Sequence, residues 1–359
     1  MNHIGKIQDL LKDKSVDALL ITNEKNQYYA GGFPFTDGYL LVSKNKAWLI
    51  TDSRYIEAAQ QNTDENIRVL LYGKSNSADD ILREIIVREG LERFYVEDQH
   101  LSYSHYLRLE QVLGKTLLPA GMLLSDLRAS KDSDELKSMI AAQRISEKAL
   151  EETLPIIRAG MTEREVAAEL VYRMLKNGSE GNSFDPIVVT GKNTSKPHGV
   201  PGDTVIHPGD FLTMDFGCLK NGYCSDMTRT VAVCSASEEM CNLYGIVLSA
   251  QSAGISAARS GIAGSEIDAA AREVIENAGF GSNFGHGFGH GLGLAVHEGP
   301  SLNPRETRLM PENSVCSAEP GIYLPGRFGI RIEDVMILRP SGSEVITKAP
   351  KEELIIVGQ

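Results

Sequence analysis

The stretch Thr213 to Val231, TMDFGCLKNGYCSDMTRTV, limits what this chain can fold into more than any other. It reads as a β-hairpin in which two acidic residues stand where a strand carries apolar ones. The arms run from Phe211 to Cys218 and from Tyr223 to Val233, and Leu219-Lys220-Asn221-Gly222 between them carries an Asn-Gly turn signal. With Lys220-Asn221 as the loop, Asp215 lies directly opposite Asp226; with Asn221-Gly222 as the loop, the two are diagonal. Both registers put the carboxylates on one face, because strand side chains alternate with a period of two. A three-residue loop with a bulge breaks that parity. Two carboxylates roughly 5 Å apart on one face repel each other unless a proton or a cation lies between them.

A chain of 359 residues is long enough for two domains of roughly 150 residues each. The formal charge of −12 argues against nucleic acid or an anionic membrane as the main partner. The first residues, MNHIGKIQDLLKDKSVDALL, scatter charge throughout and lack the apolar core of a signal peptide. No apolar run approaches the roughly 18 residues that span a bilayer. The five cysteines are odd in number and form no CxxC pair, which fits thiols in a reducing compartment. A cytoplasmic protein is the expectation.

Residues 1–127 alternate strand and helix signals. Val16 to Ile21, Gly38 to Val42, Ala47 to Thr51, Ile67 to Tyr72 and Phe94 to Val96 read as strands. Helices are expected from Ser53, with Glu57 and Gln60 on the wet side, from Ser77 to Glu89 and from Tyr103 to Leu113. This alternation predicts an α/β layer domain, and it contains no glycine-rich phosphate loop. Trp48 falls in a strand signal and reads as packing.

The segment Leu127 to Ser133 reads as a boundary, leaving 128–359 as a second domain. There Asp132 with Glu135, and Thr162 with Glu165, form two capping boxes that open helices. The first helix runs to about Leu154 and the second stops at Asn177-Gly178. A repeat with an offset of 101 residues follows: Arg158, Gly160, Glu165 and Gly178 answer Arg259, Gly261, Glu266 and Gly279. A helix from Glu238 to Arg259 precedes the second copy. The expectation is a domain of two similar halves, each with two helices and a sheet segment.

The second half carries its own acidic hairpin. With Pro325-Gly326-Arg327 as its loop, Glu319 pairs with Glu333. The duplication then brings two carboxylate pairs to one place, and His198 roughly answers His297. Four carboxylates together need cations; one divalent ion is marginal, and two sharing bridging carboxylates satisfy them. Oxygen ligands with one imidazole suit manganese, cobalt, iron or zinc. The imidazole is expected from the run Gly285-His286-Gly287-Phe288-Gly289-His290-Gly291. Cys224 shares the face of Asp226, so it is either a thiolate ligand or a small buried filler. By the same parity Thr228 shares a face with Asp226, and Arg331 with Glu333, so both suit roles in orienting ligands.

MDFG, SDMTRT, GHGLGLAVHE, EPGIY and RIED, in this order and at these separations, resemble the metallopeptidase family of aminopeptidase P, prolidase and methionine aminopeptidase, with the pita-bread fold. The resemblance implies an α+β catalytic domain with an internal pseudo-two-fold duplication. It implies that Asp215, Asp226, His290, Glu319 and Glu333 hold two divalent metals, a set that creatinase-like and chaperone-like relatives lack. Glu319 is then also the proton shuttle. His198 and His297 match the family's two substrate-side histidines, and His286 is a further candidate there.

The N-terminal residues Thr36 to Leu41 and Ile50 to Tyr55 resemble the creatinase-type N-terminal domain, which methionine aminopeptidases lack. This points to the proline-specific branch: a manganese-dependent Xaa-Pro aminopeptidase acting on proline-containing peptides, or alternatively an Xaa-Pro dipeptidase. A non-catalytic peptide-binding module on the same fold is the remote alternative. A homodimer is the family expectation.

Overall fold

The computed structural model describes residues 3–358. It forms two compact units, Met1–Arg128 and Ala129–Gln359.

The first unit is built on a six-stranded sheet. From one edge, the strands are Ile67–Leu71, Ala47–Thr51, Gly38–Ser43, Ala18–Ile21, Phe94–Val96 and Leu117–Pro119. Only Gly38–Ser43 runs antiparallel to its neighbours. Both faces are covered, which is why these strands read as continuous apolar runs. Leu19, Ile21 and Leu40 pack beneath Ile7 and Leu11 of helix Ile4–Asp13. On the other face Leu20, Leu41 and Trp48 meet helix Ala78–Glu89 through Leu82 and Ile85. Trp48 is buried in that core.

The helix expected from Ser53 begins at Ile56 instead. Asp52 holds the preceding turn by accepting from the Arg54 backbone N–H at 2.8 Å and from its Nε at 2.9 Å. Three helices and one strand were not legible in the sequence: Ile4–Asp13, Glu24–Gly31, Leu123–Ala129 and Leu117–Pro119. Glu24–Gly31, EKNQYYAG, has little apolar periodicity. It is fixed from outside, by the Asn23 side chain capping Lys25 and Asn26 and by the buried Glu97 accepting from Asn23.

The second unit contains the duplication. Helices Glu163–Lys176 and Gly264–Asn277 correspond end to end at the 101-residue offset. Each follows a longer helix, Ser133–Thr153 and Glu238–Ala257. The glycines that punctuate them match in conformation, with φ of 91° and 82° at Gly160 and Gly261, and 98° and 86° at Gly178 and Gly279. Both expected capping boxes of the first half are formed.

In the first acidic hairpin Asn221 and Gly222 take φ of 49° and 72°, the signature of a type I′ turn. Lys220 pairs with Tyr223 and Asp215 with Thr228, so the Asn221-Gly222 register is the one adopted. Asp226 is diagonal to Asp215. The ladder is interrupted where Gly217 lies against Ser225: a Cβ at Gly217 would fall 2.0 Å from the Ser225 carbonyl oxygen.

The second hairpin pairs Gly321 with Arg331 through Leu324 with Phe328, around Pro325-Gly326-Arg327. The same register resumes at Ala318 opposite Asp334. Glu319 and Glu333 therefore face each other in a gap of the ladder. Their backbone N–H groups are used elsewhere, Glu319 donating to the Phe288 carbonyl at 2.8 Å and Glu333 to that of Thr228 at 3.1 Å. These bonds tie the two hairpins to each other and to the glycine-rich run.

Two apolar cores underlie the two halves, one around Leu150, Leu170 and Met214, the other around Val247, Ile267 and Phe288. In helix Glu238–Ala257 a Cβ at Gly254 would lie 2.3 Å from the Phe288 ring, whereas one at Gly245 meets nothing within 4 Å. Alanine normally stabilises a helix interior by about 1 kcal/mol over glycine. Gly245→Ala should therefore raise stability by roughly 0.5–1 kcal/mol. Gly254→Ala should lower it by about 1–3 kcal/mol through overpacking. Urea denaturation of the two variants checks the opposite signs.

Candidate metal centre and substrate cavity

The two hairpins and the glycine-rich run enclose a cavity of about 510 Å³. Asp215, Asp226, His290, Glu319 and Glu333 all line it. Asp226, His290 and Glu333 each offer a ligand atom, and these atoms lie within 4.8 Å of one another. His290 Nε2 stands 3.2 Å from Glu319 Oε1 and 3.6 Å from Asp226 Oδ2. Its Nδ1 faces the Gly291 carbonyl at 3.1 Å, which leaves Nε2 as the nitrogen turned to the carboxylates. Strand Gly289–Gly291 is narrow because Gly289 passes against Ser317; a Cβ there would fall 2.0 Å from that carbonyl oxygen.

Three oxygens of this group are buried without a hydrogen-bond partner: Asp215 Oδ1, Asp226 Oδ1 and Glu333 Oε1. Buried acceptors are ordinarily satisfied, so three unmet carboxylate oxygens at one place mark a site shaped for cations. Burial, reinforced by the neighbouring carboxylates, holds the Asp226 and Glu333 carboxyls well above the usual range. Burial raises Asp215 as well, against the pull of Arg331. Burial opposes charge on His290 and Glu319 too, but their mutual hydrogen bond outweighs it, lifting His290 to about 9 and lowering Glu319 to about 2.

The other oxygens are gripped from behind. Arg331 Nη2 donates to Asp215 Oδ2 at 2.6 Å, and its Nε donates to Thr228 Oγ1 at 3.1 Å. The Thr228 hydroxyl in turn donates to Glu333 Oε2 at 2.7 Å. Strand parity puts Thr228 on the face of Asp226 and Arg331 on that of Glu333. Their hydrogen bonds reach across to the other hairpin, Thr228 to Glu333 and Arg331 to Asp215, because the two hairpins interleave. Ser317 donates to Glu319 Oε1 at 3.0 Å.

His198 and His297 both line the cavity. The His297 ring lies 4.2 Å from that of His290, centroid to centroid. Partial burial, with the adjacent His290, lowers the His297 pKa. His286 also reaches the cavity, with Nε2 3.0 Å from the Tyr323 hydroxyl and Nδ1 2.8 Å from the Gly287 carbonyl. Cys224 is buried and lies outside the cavity lining, so the filler reading is the one the structure supports.

Four contributing residues were missed in the sequence. Tyr323 links His286 to Arg331, whose Nη1 donates to its hydroxyl at 2.8 Å. The ring folds back over two glycines: a Cβ at Gly321 would meet its Oη at 2.5 Å, and one at Gly329 its ring at 2.8 Å. Those glycines flanking a strand tyrosine were the available signal. Asp268 and Arg272, an i,i+4 pair, hold the glycine-rich run: Asp268 accepts from Phe288 N–H at 2.8 Å, and Arg272 donates to the His286 carbonyl at 2.7 Å. Nothing in the sequence says where that pair points. Arg229, fully buried, donates to the Glu333 carbonyl at 2.6 Å and that of Thr228 at 2.9 Å, and pairs with Asp334 at 2.8 Å.

Comparison with known proteins agrees with this construction. Residues 137–340 match the model of metallopeptidase family M24, and residues 3–130 match the creatinase/prolidase N-terminal domain. A solved structure of an Xaa-Pro dipeptidase from Bacillus anthracis superposes with a TM-score of 0.94 at 38% identity, over 99% of each chain. An X-Pro aminopeptidase structure from Thermotoga maritima MSB8 gives 0.90 at 38% identity, over 96% of this chain and 98% of that one. An Xaa-Pro dipeptidase of Pyrococcus horikoshii is 35% identical over 97% of both chains. These matches support the pita-bread fold that the resemblance implies. The chain is a member of metallopeptidase family M24, in the aminopeptidase P and prolidase group with a creatinase-type N-terminal domain.

Proposed function

We propose that this enzyme is a dinuclear metal-dependent aminopeptidase that removes an N-terminal residue preceding proline. The observation that carries the metal reading is the convergence of three unpartnered buried carboxylate oxygens with His290 in one cavity. Asp215, Asp226, His290, Glu319 and Glu333 would hold two divalent ions, for which manganese suits the oxygen-rich set best and cobalt, zinc and iron also fit. Bound there, such ions would lower the pKa of a water and polarise a carbonyl oxygen.

The protein's own groups do the rest. Glu319, fixed by Ser317, takes the proton from the attacking water and hands it to the leaving nitrogen. His198 and His297 donate hydrogen bonds to the scissile carbonyl and its developing oxyanion. The lowered pKa of His297 keeps it a neutral donor near pH 7. Arg331, Thr228 and Tyr323 keep the carboxylates in place.

The Xaa-Pro preference rests on the named activities of the relatives, which include both an aminopeptidase and dipeptidases. One feature favours the aminopeptidase. Among the described residues Arg331 is the sole lysine or arginine lining the cavity, and its donors go to Asp215, Thr228, Tyr323 and the Pro197 carbonyl. It is not available to grip the C-terminal carboxylate by which a strict dipeptidase recognises its substrate. Cytoplasmic location fits five cysteines outside any disulfide, and a homodimer fits the family expectation.

Two outcomes follow. The purified protein should contain up to two transition metals per chain by elemental analysis, and Asp226→Ala should lose both metal and activity. Full activity of a stripped sample kept in chelator sinks the metal reading. With manganese restored, tripeptides Xaa-Pro-Yaa should be cleaved at least as well as Xaa-Pro dipeptides, as read by product chromatography. Rejection of the tripeptides would make the protein a dipeptidase.

A further inference from the structure

We propose that Glu163 is a positioning residue for the reaction, setting the loop that carries His198. The inference rests on the substrate-side role given to His198 above. Glu163 opens helix Glu163–Lys176 and is 1% exposed. Its Oε1 accepts from the Thr190 backbone N–H at 2.9 Å and from Asn193 Nδ2 at 2.9 Å. Its Oε2 accepts from the Gly202 N–H at 3.0 Å. Thr190 ends strand Ile187–Thr190, and Gly202 lies beyond His198. One carboxylate thus ties together both stems of the loop.

The far side of the loop is held independently. Arg331 Nη1 lies 3.4 Å from the Pro197 carbonyl while Nη2 of the same guanidinium binds Asp215. Gly199 is pressed onto the strand beneath; a Cβ there would lie 2.6 Å from the Val189 side chain. His198 therefore stands between a stem fixed by Glu163 and a neighbour fixed to a residue of the candidate metal centre. Exposed as it is, the imidazole takes its position from the backbone.

The partners of Glu163 are all neutral N–H donors. A buried carboxylate without a cation is costly, and is kept where several donors converge on it. Glutamine fits the space, but its amide nitrogen would face a donor. In the repeat, the equivalent of Glu163 is Gly264, where a Cβ would fall 2.4 Å from the Ser301 carbonyl oxygen. There the helix start meets the cavity wall directly. The carboxylate appears only in the half whose loop carries His198.

The test is a double-mutant cycle on the manganese-loaded full chain, with an Xaa-Pro peptide as substrate. Glu163→Gln should lower kcat by roughly 10- to 100-fold, as expected for a small misplacement of a catalytic group. KM should move only a few-fold, and metal content by elemental analysis should be unchanged. In a His198→Ala background the same substitution should change kcat by less than about 3-fold. Equal factors with and without His198, loss of metal, or a wild-type kcat would overturn the inference. A wild-type His198→Ala would instead overturn the role given to His198, and this inference with it. Should Glu163→Gln not fold, Asn193→Ala removes one donor from the same carboxylate, and its cycle with His198→Ala is read the same way.

Discussion

The mutual repulsion of buried carboxylates is the constraint on which the catalytic unit depends. Asp226 and Glu333 are 4% and 1% exposed, and each keeps an oxygen with no hydrogen-bond partner. Two like charges 4 Å apart cost about 4 kcal/mol at an effective dielectric constant of 20. A fold carries that penalty only where something else is to be bound. The surrounding polar groups neutralise one oxygen of a residue and leave the other open, as Arg331 does for Asp215 and Thr228 for Glu333.

The duplication explains how such a group is assembled. Each half supplies an acidic hairpin with an interrupted ladder, and at the second gap the Glu333 N–H bonds across to the Thr228 carbonyl of the other half. Behind them Arg229 bonds to the carbonyls of Thr228 and Glu333 from its buried position, and also to those of Ala349 and Pro350. The C-terminal segment is thereby part of the support. Lys351 adds to it by bonding Gln251 at 2.6 Å and pairing with Asp334. Gln251 in turn donates to the carbonyls of Ala318 and Ile332, which flank the second gap.

Much of this was legible because the determining signals are local. Asn221-Gly222 sets the turn, period-two alternation puts Asp215 and Asp226 on one face, and the glycines at 160, 178, 261 and 279 expose the repeat. The Glu319–Glu333 register followed from its loop alone. What escaped depends on tertiary placement. Helix Glu24–Gly31 owes its existence to a distant Glu97, and Tyr323 reaches Arg331 only because two glycines let its ring fold back. Parity within each hairpin settled the faces of Thr228 and Arg331 but could not show their bonds across to Glu333 and Asp215 of the other hairpin. Glu163, which no local sequence signal singles out, engages backbone donors on both sides of the His198 loop.

On the metal reading, cations rather than protons or the fold itself relieve the carboxylates. The pKa values of Asp226 and Glu333 are raised on folding, so the metal-free protein should lose stability as pH rises through them. The most direct measurement is the thermal midpoint near pH 7 of the wild type and of a variant carrying Asp226→Asn and Glu333→Gln, each metal-free and with manganese. The metal-free variant should melt above the metal-free wild type, and manganese should raise the wild type alone, by a margin that grows with metal concentration. A variant that is less stable than the wild type without metal, or a wild type indifferent to manganese and to other divalent transition metals, would contradict the metal reading.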